Sequence, residues 1–215
     1  MLTILNKNSS IINQLIAELR QGEVQNKRLD FRFNLERLGE LFAYEISKIL
    51  NYKKVCIETP FGEADELQLQ EQPVLGTIIR AGLPLHQGML RLFDQAESAF
   101  FAVYRKTHKN HEFQVEMKYL SAPQLNNKVL IVSDAVIGSG KSMVLTCQEI
   151  KRQWNIKTLH IVAAIASEEG LAHVRAFIPD AHVWIGALDK ELTSKSYIVP
   201  GLGDAGDIAF GKKSD

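Results

Sequence analysis

The sequence contains little of what marks membrane, secreted or nucleic-acid-binding proteins. Lys plus Arg and Asp plus Glu both number 25, so the 215-residue chain has a formal net charge of zero and no basic excess to attract a nucleic-acid backbone. No apolar run approaches the roughly 20 residues that a membrane span needs, and no charged leader precedes an apolar stretch at the N-terminus. We therefore expect a cytoplasmic protein with no nucleic-acid or membrane partner.

Cysteine is also scarce. Cys56 and Cys147 both lie in apolar runs and show neither a paired nor a metal-type spacing. We expect two buried free thiols in a reducing compartment. The histidines likewise show no metal-ligand pairing, and we expect solvated or structural roles for all of them, namely His86, His108, His111, His160, His173 and His182.

Hydrophobic periodicity predicts one long helix followed by alternating strands and helices. Apolar residues from Phe31 to Ile49 recur at spacings of three and four, which indicates one face of a helix. The predicted strands are Val55 to Glu58, Val74 to Ile79, Ala99 to Tyr104, Val129 to Ser133, Leu159 to Ile165 and Val183 to Ala187. The predicted helices between them lie around Leu85 to Phe93, Ser142 to Trp154 and Glu169 to Phe177.

This alternation predicts an α/β fold, a doubly wound, mostly parallel sheet flanked by helices. Several strands are apolar on both faces, as strands buried in a parallel sheet are. The length fits a single domain, which we divide into an N-terminal helical arm (1–52), an α/β core (53–190) and a tail (191–215). Ligands should bind beyond the carboxyl ends of the strands, in the loops after Ile79, Tyr104, Ser133 and Ile165.

Two segments should lie outside the regular alternation of strands and helices. Residues 105–121 are polar, include the run from Lys106 to His111, and are typical of a hairpin or flap that stands off the sheet. The tail between Tyr197 and Gly211 holds four of the fourteen glycines and one proline. We expect an ordered loop there rather than a helix or a strand.

The segment VLIVSDAVIGSGKSM, from Val129 to Met143, is typical of a phosphate-binding site. A buried strand leads through an acidic residue and a loop of small residues into a helix. Glycine and serine let backbone N–H groups approach an anion closely, and the helix N-terminus adds a partial positive charge.

Gly140, Lys141 and Ser142 also match the end of a nucleoside triphosphate P-loop. The strict pattern requires a glycine at the position of Ala135, so only a relaxed form matches. Such an enzyme also needs an acidic residue at the end of a later strand to hold magnesium, and Asp189 is only a loose candidate. A P-loop kinase remains an alternative.

The tail YIVPGLGDAGDIAFG, Tyr197 to Gly211, closely resembles the uracil-binding signature of the uracil phosphoribosyltransferase family, whose members have the type I phosphoribosyltransferase fold. FRFNLERLGELFAYE from Phe31, TIIRAGL from Thr77, the pair Tyr104 and Arg105, DAVIGSGKS from Asp134 and ASEEG from Ala166 follow the family's order. The resemblance covers roughly residues 26–211. It implies transfer of ribose 5-phosphate from phosphoribosyl diphosphate to uracil, giving UMP and pyrophosphate.

The resemblance also implies roles for individual residues. Asp134, Arg105 and Asp204 are the implied catalytic residues. The residues implied to bind phosphoribosyl diphosphate are Arg80, Arg105, Asp134, Ala135, Val136, Ile137, Gly138, Ser139, Gly140, Lys141, Ser142 and Asp204. The residues implied to bind uracil are Ile198, Gly203, Asp204 and Ala205. Mg²⁺ should be held mainly by the substrate's phosphates, with no protein metal site, and relatives commonly form homodimers or larger homo-oligomers.

The sequence departs from the family in loops that set activity. Lys141 replaces a glycine, Ala135 a proline and Ser139 a threonine, and the segment TSKS stands before Tyr197 where a glycine is common. A catalytically weak relative that senses nucleotides is therefore a second alternative to the enzyme.

Overall fold

The computed structural model describes residues 1–107 and 113–213, with side chains described for residues 1–103 and 117–213. In chain order the elements are β1 (Leu2–Ile4), a 3-10 turn (Leu5–Lys7), α1 (Ile11–Arg20), α2 (Gly22–Gln25), α3 (Arg28–Ser47), β2 (Tyr52–Thr59), β3 (Gly62–Leu69), β4 (Val74–Ile79), α4 (Leu83–Leu92), β5 (Ser98–Thr107), β6 (Phe113–Ser121), β7 (Val129–Ile137), α5 (Lys141–Gln153), β8 (Thr158–Ser167), α6 (Glu168–Phe177), β9 (His182–Asp189), β10 (Glu191–Leu192), β11 (Ile198–Val199) and α7 (Ala205–Phe210). No helix within these ranges is both long and apolar enough to cross a membrane.

A seven-stranded sheet in the order β1-β9-β8-β7-β4-β5-β6 forms the centre of the molecule. Neighbouring strands run parallel, except that β5 and β6 pair antiparallel. Strands β4 to β6 build toward one edge and β7 to β9 toward the other, so the strand order reverses between β4 and β7. The predicted doubly wound α/β class is confirmed, and ligands bind such sheets beyond the carboxyl ends at that reversal.

Apolar residues pack against both faces of the sheet. Helices α1, α3, α4 and α7 contribute to one buried cluster, and α5 and α6 contribute to the other. The α3–α4 contact depends on two glycines: a Cβ on Gly88 would lie 1.9 Å from the Glu36 carbonyl oxygen, and one on Gly39 would lie 2.2 Å from that of Leu85. The predicted helix face from Phe31 is buried through Ile46, but Ile49 is 52% exposed because α3 ends before it.

Strand β7 is longer than predicted. The sequence indicated a strand that ends at Ser133, with Asp134 in the following loop. In the structure β7 pairs with β4 only as far as Ser133, yet it continues beside β8 from Asp134, opposite Ala163, to Ile137, opposite Ala166. Asp134 therefore projects from a strand, because β8 supplies a backbone partner beyond the end of β4.

The predicted strand around Val55 lies outside the central sheet. It belongs to β2, which pairs with β3 in a separate two-stranded hairpin whose residues are mostly exposed. The expectation that Cys56 is buried is therefore wrong, because charged residues occupy both faces of this hairpin. Cys147 is buried as expected, and burial raises the pKa of its thiol to about 12.

Strand β5 pairs antiparallel with β6, as a hairpin over residues 105–121 predicts, although β6 is the edge strand of the central sheet and does not stand off it. His108 and His111 lie outside the described residues. The N-terminal segment begins with β1, which extends the sheet beside β9. Of the described histidines, His86, His160 and His182 are buried.

Candidate active site

A cavity of about 370 Å³ opens where the carboxyl ends of β4 and β7 meet. This volume is in the range of small-molecule sites. The lining comes from the end of β4, the end of β7 with the turn after it, β5, and the tail (residues 191–213). From these segments it includes Arg80, Val103, Asp134, Val136, Ile137, Gly138, Ser139, Gly140, Ser142, Ile198, Gly203, Asp204 and Ala205. Two sequence motifs more than fifty residues apart therefore face one cavity.

The predicted phosphate segment forms a turn from β7 into α5. Gly140 precedes the helix with a φ of 74°, a left-handed conformation that favours glycine, and no side chain caps the helix there. The first-turn N–H groups of α5 thus remain available to an anion beside Ser139 and Ser142, which line the cavity. This arrangement suits a phosphate group.

Among the predicted phosphate-binding residues whose side chains the structure describes, two lie outside the cavity lining. Ala135 is fully buried, since it alternates with the cavity-facing Asp134 and Val136 along β7. Lys141, the first residue of α5, is exposed and does not line the cavity. The side chains at these two positions, where the sequence departs from the family, therefore do not form part of the cavity wall.

The start of α6 presses against the phosphate turn. Ser167 Oγ donates a hydrogen bond of 2.7 Å to the Gly138 carbonyl and accepts one of 2.8 Å from the Gly170 N–H. A Cβ on Gly170 would lie only 1.8 Å from the Gly138 oxygen. Sequence reasoning noted the ASEEG block only as part of a resemblance and missed that Ser167 and Gly170 support the turn.

Arg80 follows β4 and lines the cavity opposite the tail. Its Nη2 donates a 3.0 Å hydrogen bond to Asp207 Oδ1 on α7, and both side chains are about one-third exposed. Its Nε is buried and has no hydrogen-bond partner among the described residues. The peptide bond between Ile79 and Arg80 is cis. Asp207 was not singled out from the sequence, where only spatial proximity distinguishes it from other acidic residues.

Asp134 lies on the same wall, and its Oδ1 accepts a 2.7 Å hydrogen bond from the N–H of Ala135. Arg105 lies in β5, whose backbone pairs with β6 at this position. Its side chain lies outside the described residues, so its predicted role in the site stays a prediction.

The tail is more regular than the expected loop. Strand β11 pairs with β10, and α7 forms a short helix, so the expectation of neither strand nor helix is wrong. The helix forms because Asp204 caps it: its Oδ1 accepts a 3.0 Å hydrogen bond from the Asp207 N–H. Gly203, with a φ of 82°, turns the chain into this cap. The structure brings Ile198, Gly203, Asp204 and Ala205 together on the cavity wall, and their role in binding uracil stays a prediction.

Asp189, the loose candidate for a P-loop magnesium ligand, has a different role. It is buried at the end of β9 and accepts hydrogen bonds of 2.8 Å from both terminal nitrogens of Arg20. Because Asp189 is occupied in this way and Lys141 lies outside the cavity, the structure does not favour a P-loop kinase.

The model of the family described as uracil phosphoribosyltransferase matches residues 6–212. The uracil phosphoribosyltransferase of Porphyromonas gingivalis is 43% identical over 210 residues, which cover 97% of each chain. That of Thermococcus kodakarensis is 33% identical over 209 residues, 96% of this chain and 89% of the relative. A solved protein from Aquifex aeolicus superposes with a TM-score of 0.87 at 25% identity, over 100% of both chains.

Proposed function

The chain belongs to the uracil phosphoribosyltransferase family, and on this premise we propose that it transfers the ribose 5-phosphate of phosphoribosyl diphosphate to N1 of uracil. The products are UMP and pyrophosphate, and the enzyme is a pentosyltransferase of pyrimidine salvage. One observation carries the proposal: the phosphate turn before α5 and the glycine-rich tail line the same cavity. A nucleoside monophosphate has an anion at one end and a base at the other, which matches these two walls.

In this reaction the C1′–O bond to pyrophosphate breaks and a C1′–N1 bond to uracil forms. Positive charge grows on the ribose ring and negative charge on the departing pyrophosphate, while N1 of uracil gives up its proton to water. The protein needs to align the two substrates and stabilise these charges, and it needs no strong nucleophile.

We assign the phosphate and ribose contacts on this basis. The turn of Gly138, Ser139 and Gly140, with Ser142 and the backbone of residues 136, 137 and 141, holds the 5-phosphate. Asp134 accepts hydrogen bonds from the ribose hydroxyls and stabilises the cationic ring. Arg80 and Arg105 bind the pyrophosphate, for which a guanidinium fork is suited by both charge and geometry.

The tail reads the base. Ile198, Gly203 and Ala205 present backbone N–H and C=O groups, which match the alternating donors and acceptors of a flat pyrimidine ring. Asp204 approaches the ribosyl substrate, and its carboxylate also fixes the start of α7. Because backbone groups do this reading, selectivity depends on where the tail lies and not only on its side chains.

Phosphoribosyltransferases generally use Mg²⁺ in catalysis. Among the described residues no group of three or more His, Cys, Asp and Glu side chains is arranged to hold a metal ion. The site fits an ion that is bound by the substrate's phosphates and water, as Mg²⁺ prefers, with Asp204 as a nearby carboxylate. When bound, the ion supplies positive charge to the leaving pyrophosphate.

The remaining features of the proposal concern the whole molecule. We propose a homo-oligomer in the cytoplasm with no nucleic-acid or membrane partner. We also propose one domain composed of a helical arm (1–52), a core (53–190) and a base-binding tail (191–215).

A direct assay tests the activity. The purified chain is mixed with uracil, phosphoribosyl diphosphate and Mg²⁺, and UMP is measured by chromatography, with cytosine in place of uracil as the control. We expect UMP from uracil and no nucleotide from cytosine. Binding of the ribosyl donor without turnover would instead indicate the catalytically weak, nucleotide-sensing relative.

A further inference from the structure

We propose that Arg20 and Asp189 act as a clamp that positions the base-reading backbone of the tail. The proposal rests on the proposed function, since it assigns the base to that backbone. Neither residue lines the cavity, so both are positioning residues rather than catalytic ones.

The clamp holds both backbone groups of one tail residue. The Gly201 N–H donates a 3.0 Å hydrogen bond to Asp189 Oδ2, and its carbonyl accepts one of 3.0 Å from Arg20 Nη1. Arg20 and Asp189 are themselves joined by two hydrogen bonds of 2.8 Å, a bidentate pair of the kind that fixes geometry most firmly.

The clamp is largely protected from water. The side chain of Asp189 is 7% exposed and that of Arg20 is 23% exposed, so the pair is screened less than a surface ion pair. A buried carboxylate requires partners, and Arg20 and the Gly201 N–H supply them. The tail is therefore fixed to the end of β9 and to the end of α1 at a single point.

Gly201 transmits this position to the base pocket. It has a φ of 60°, and a Cβ there would lie 2.1 Å from the carbonyl oxygen of Ile198, so residues 198–201 form one tight turn. The next residue, Leu202, is held as well, since its carbonyl accepts a 2.9 Å hydrogen bond from Gln25. Gly203 to Ala205 follow directly, so a shift of the clamped turn moves the groups that read uracil.

Arg20→Lys tests the clamp, because lysine keeps the charge but cannot make the bidentate contact and the Gly201 contact together. Calorimetry compares the dissociation constants of UMP and ribose 5-phosphate, which share the ribosyl phosphate and differ by the base. We expect UMP binding to weaken about tenfold and ribose 5-phosphate binding to stay unchanged. Arg152→Lys is the matched control, since Arg152 makes a bidentate pair with Glu149 on the exposed face of α5.

A second variant provides rescue. In Arg20→Ala, guanidinium at a non-denaturing concentration should restore part of the UMP affinity, whereas potassium chloride at the same ionic strength should not. Equal loss of both ligands, or a lower melting temperature with unchanged UMP affinity, would show that Arg20 only stabilises the fold and would overturn the proposal.

A measurement on the unaltered protein tests the hydrogen bonds of the clamp even if the variants do not fold. Hydrogen exchange of the Gly201 amide should be strongly protected without ligand, and exchange at the rate of an open loop would disprove the clamp. Failure of the clamp is distinct from failure of the activity: in the first case the native protein still makes UMP from uracil, and in the second it does not.

Discussion

The proposed phosphate half of the site continues a strand of the sheet, whereas the proposed base half is held mainly by side chains of the N-terminal helices. The turn at residues 138–140 continues β7 into α5 and is fixed by its close contact with Gly170. The tail has only two short strands and one short helix, and Arg20, Gln25 and Arg32 bind its backbone carbonyls. The ribosyl phosphate is common to all phosphoribosyl transfer, while the base varies. The phosphate half, which serves the common substrate group, is thus part of the core fold, and the base half, which sets selectivity, is packed onto it.

If the phosphate half depends on backbone contact, Gly170→Ala should have the largest effect. Its methyl group would meet the Gly138 carbonyl, which is backbone and cannot rotate away, so the turn must shift. We expect kcat/KM for the ribosyl donor to fall more than about 100-fold, roughly 3 kcal/mol. Steady-state kinetics measures this. Gly22→Ala is the control, because its Cβ would meet nothing within 4 Å, and equal effects of the two would contradict the contact.

Asp134→Asn should cost nearly as much in rate and little in stability. The side chain faces the cavity, so we expect its charge to act on the reacting ribose more than on packing. We expect kcat to fall about 100-fold, or about 2.7 kcal/mol. Rapid-quench measurement of UMP, with the melting temperature recorded in parallel, checks both parts. Asp94→Asn, at an exposed position, should be silent. An unchanged rate in Asp134→Asn would remove this strand end from the mechanism.

Acid should weaken the sheet that carries the phosphate half. On β8, burial first and nearby His182 second lower the pKa of His160 from 6.5 to about 4. Its neutral ring accepts a 3.2 Å hydrogen bond from Trp184 Nε1. The folded state disfavours the protonated form, so this stability is complete above pH 6.5 and is lost as the pH falls toward 4. The loss should be about 1.4 kcal/mol per pH unit, hence about 2 kcal/mol at pH 5.

Urea unfolding at pH 7 and pH 5 measures this loss, with His160→Asn as the comparison. Asparagine can still accept from Trp184 but does not titrate in this range. The variant should therefore lose less stability than the native protein between the two pH values. Parallel losses would show that His160 does not contribute to the pH dependence.

The Arg80–Asp207 pair joins the phosphate half to the tail, so Asp207→Asn should affect the binding of both substrates. The effect should be smaller than that of Gly170→Ala or Asp134→Asn. The amide keeps the size of the side chain but loses the charge that orients the guanidinium. We expect KM for the ribosyl donor to rise about tenfold, or 1.4 kcal/mol, with KM for uracil changed less. Because each side chain is about one-third exposed, high salt should reduce the difference. Asp30→Asn, whose contact with Lys27 is exposed and 3.9 Å long, is the control.

Lys141→Ala should have the smallest effect. The side chain is exposed and lies outside the cavity wall although the sequence placed it in a phosphate-binding pattern. We expect donor affinity to change less than about threefold. Isothermal titration at low salt provides the most demanding check. A larger loss would mean that Lys141 turns toward the anion when the ligand binds.

Local patterns were enough to predict most strands of the central sheet and the phosphate turn, whereas the tail was identified by its resemblance to a known family. A continuous apolar run such as β8 predicts a buried strand from the sequence alone. The Gly-Asp-Ala core of the tail can likewise be recognised as a motif without a structure. The contacts that hold these motifs were not predictable in this way. Arg20 and Asp189 are 169 positions apart, and each is an ordinary charged residue until the fold brings them together.

The strand around Val55 was predicted as a strand but assigned to the wrong sheet. Its residues favour extended structure, yet periodicity does not state which strand will pair with which. Charges on both faces of the hairpin keep β2 out of the core. That β2 pairs with β3 instead of joining the central sheet is seen only in the structure. Similarly, the extension of β7 through Asp134 depends on β8, a partner whose position the local sequence does not encode.

The contact between Arg20 and Asp189 has a consequence for the order of folding. Closing a loop of 169 residues costs chain entropy that local helix contacts do not incur. Helix α1 can therefore form early, but its last side chain has no carboxylate to bind until β9 has taken its place in the sheet. We therefore expect a refolding chain to regain binding of the ribosyl phosphate no later than recognition of the base, since the phosphate turn does not depend on this contact.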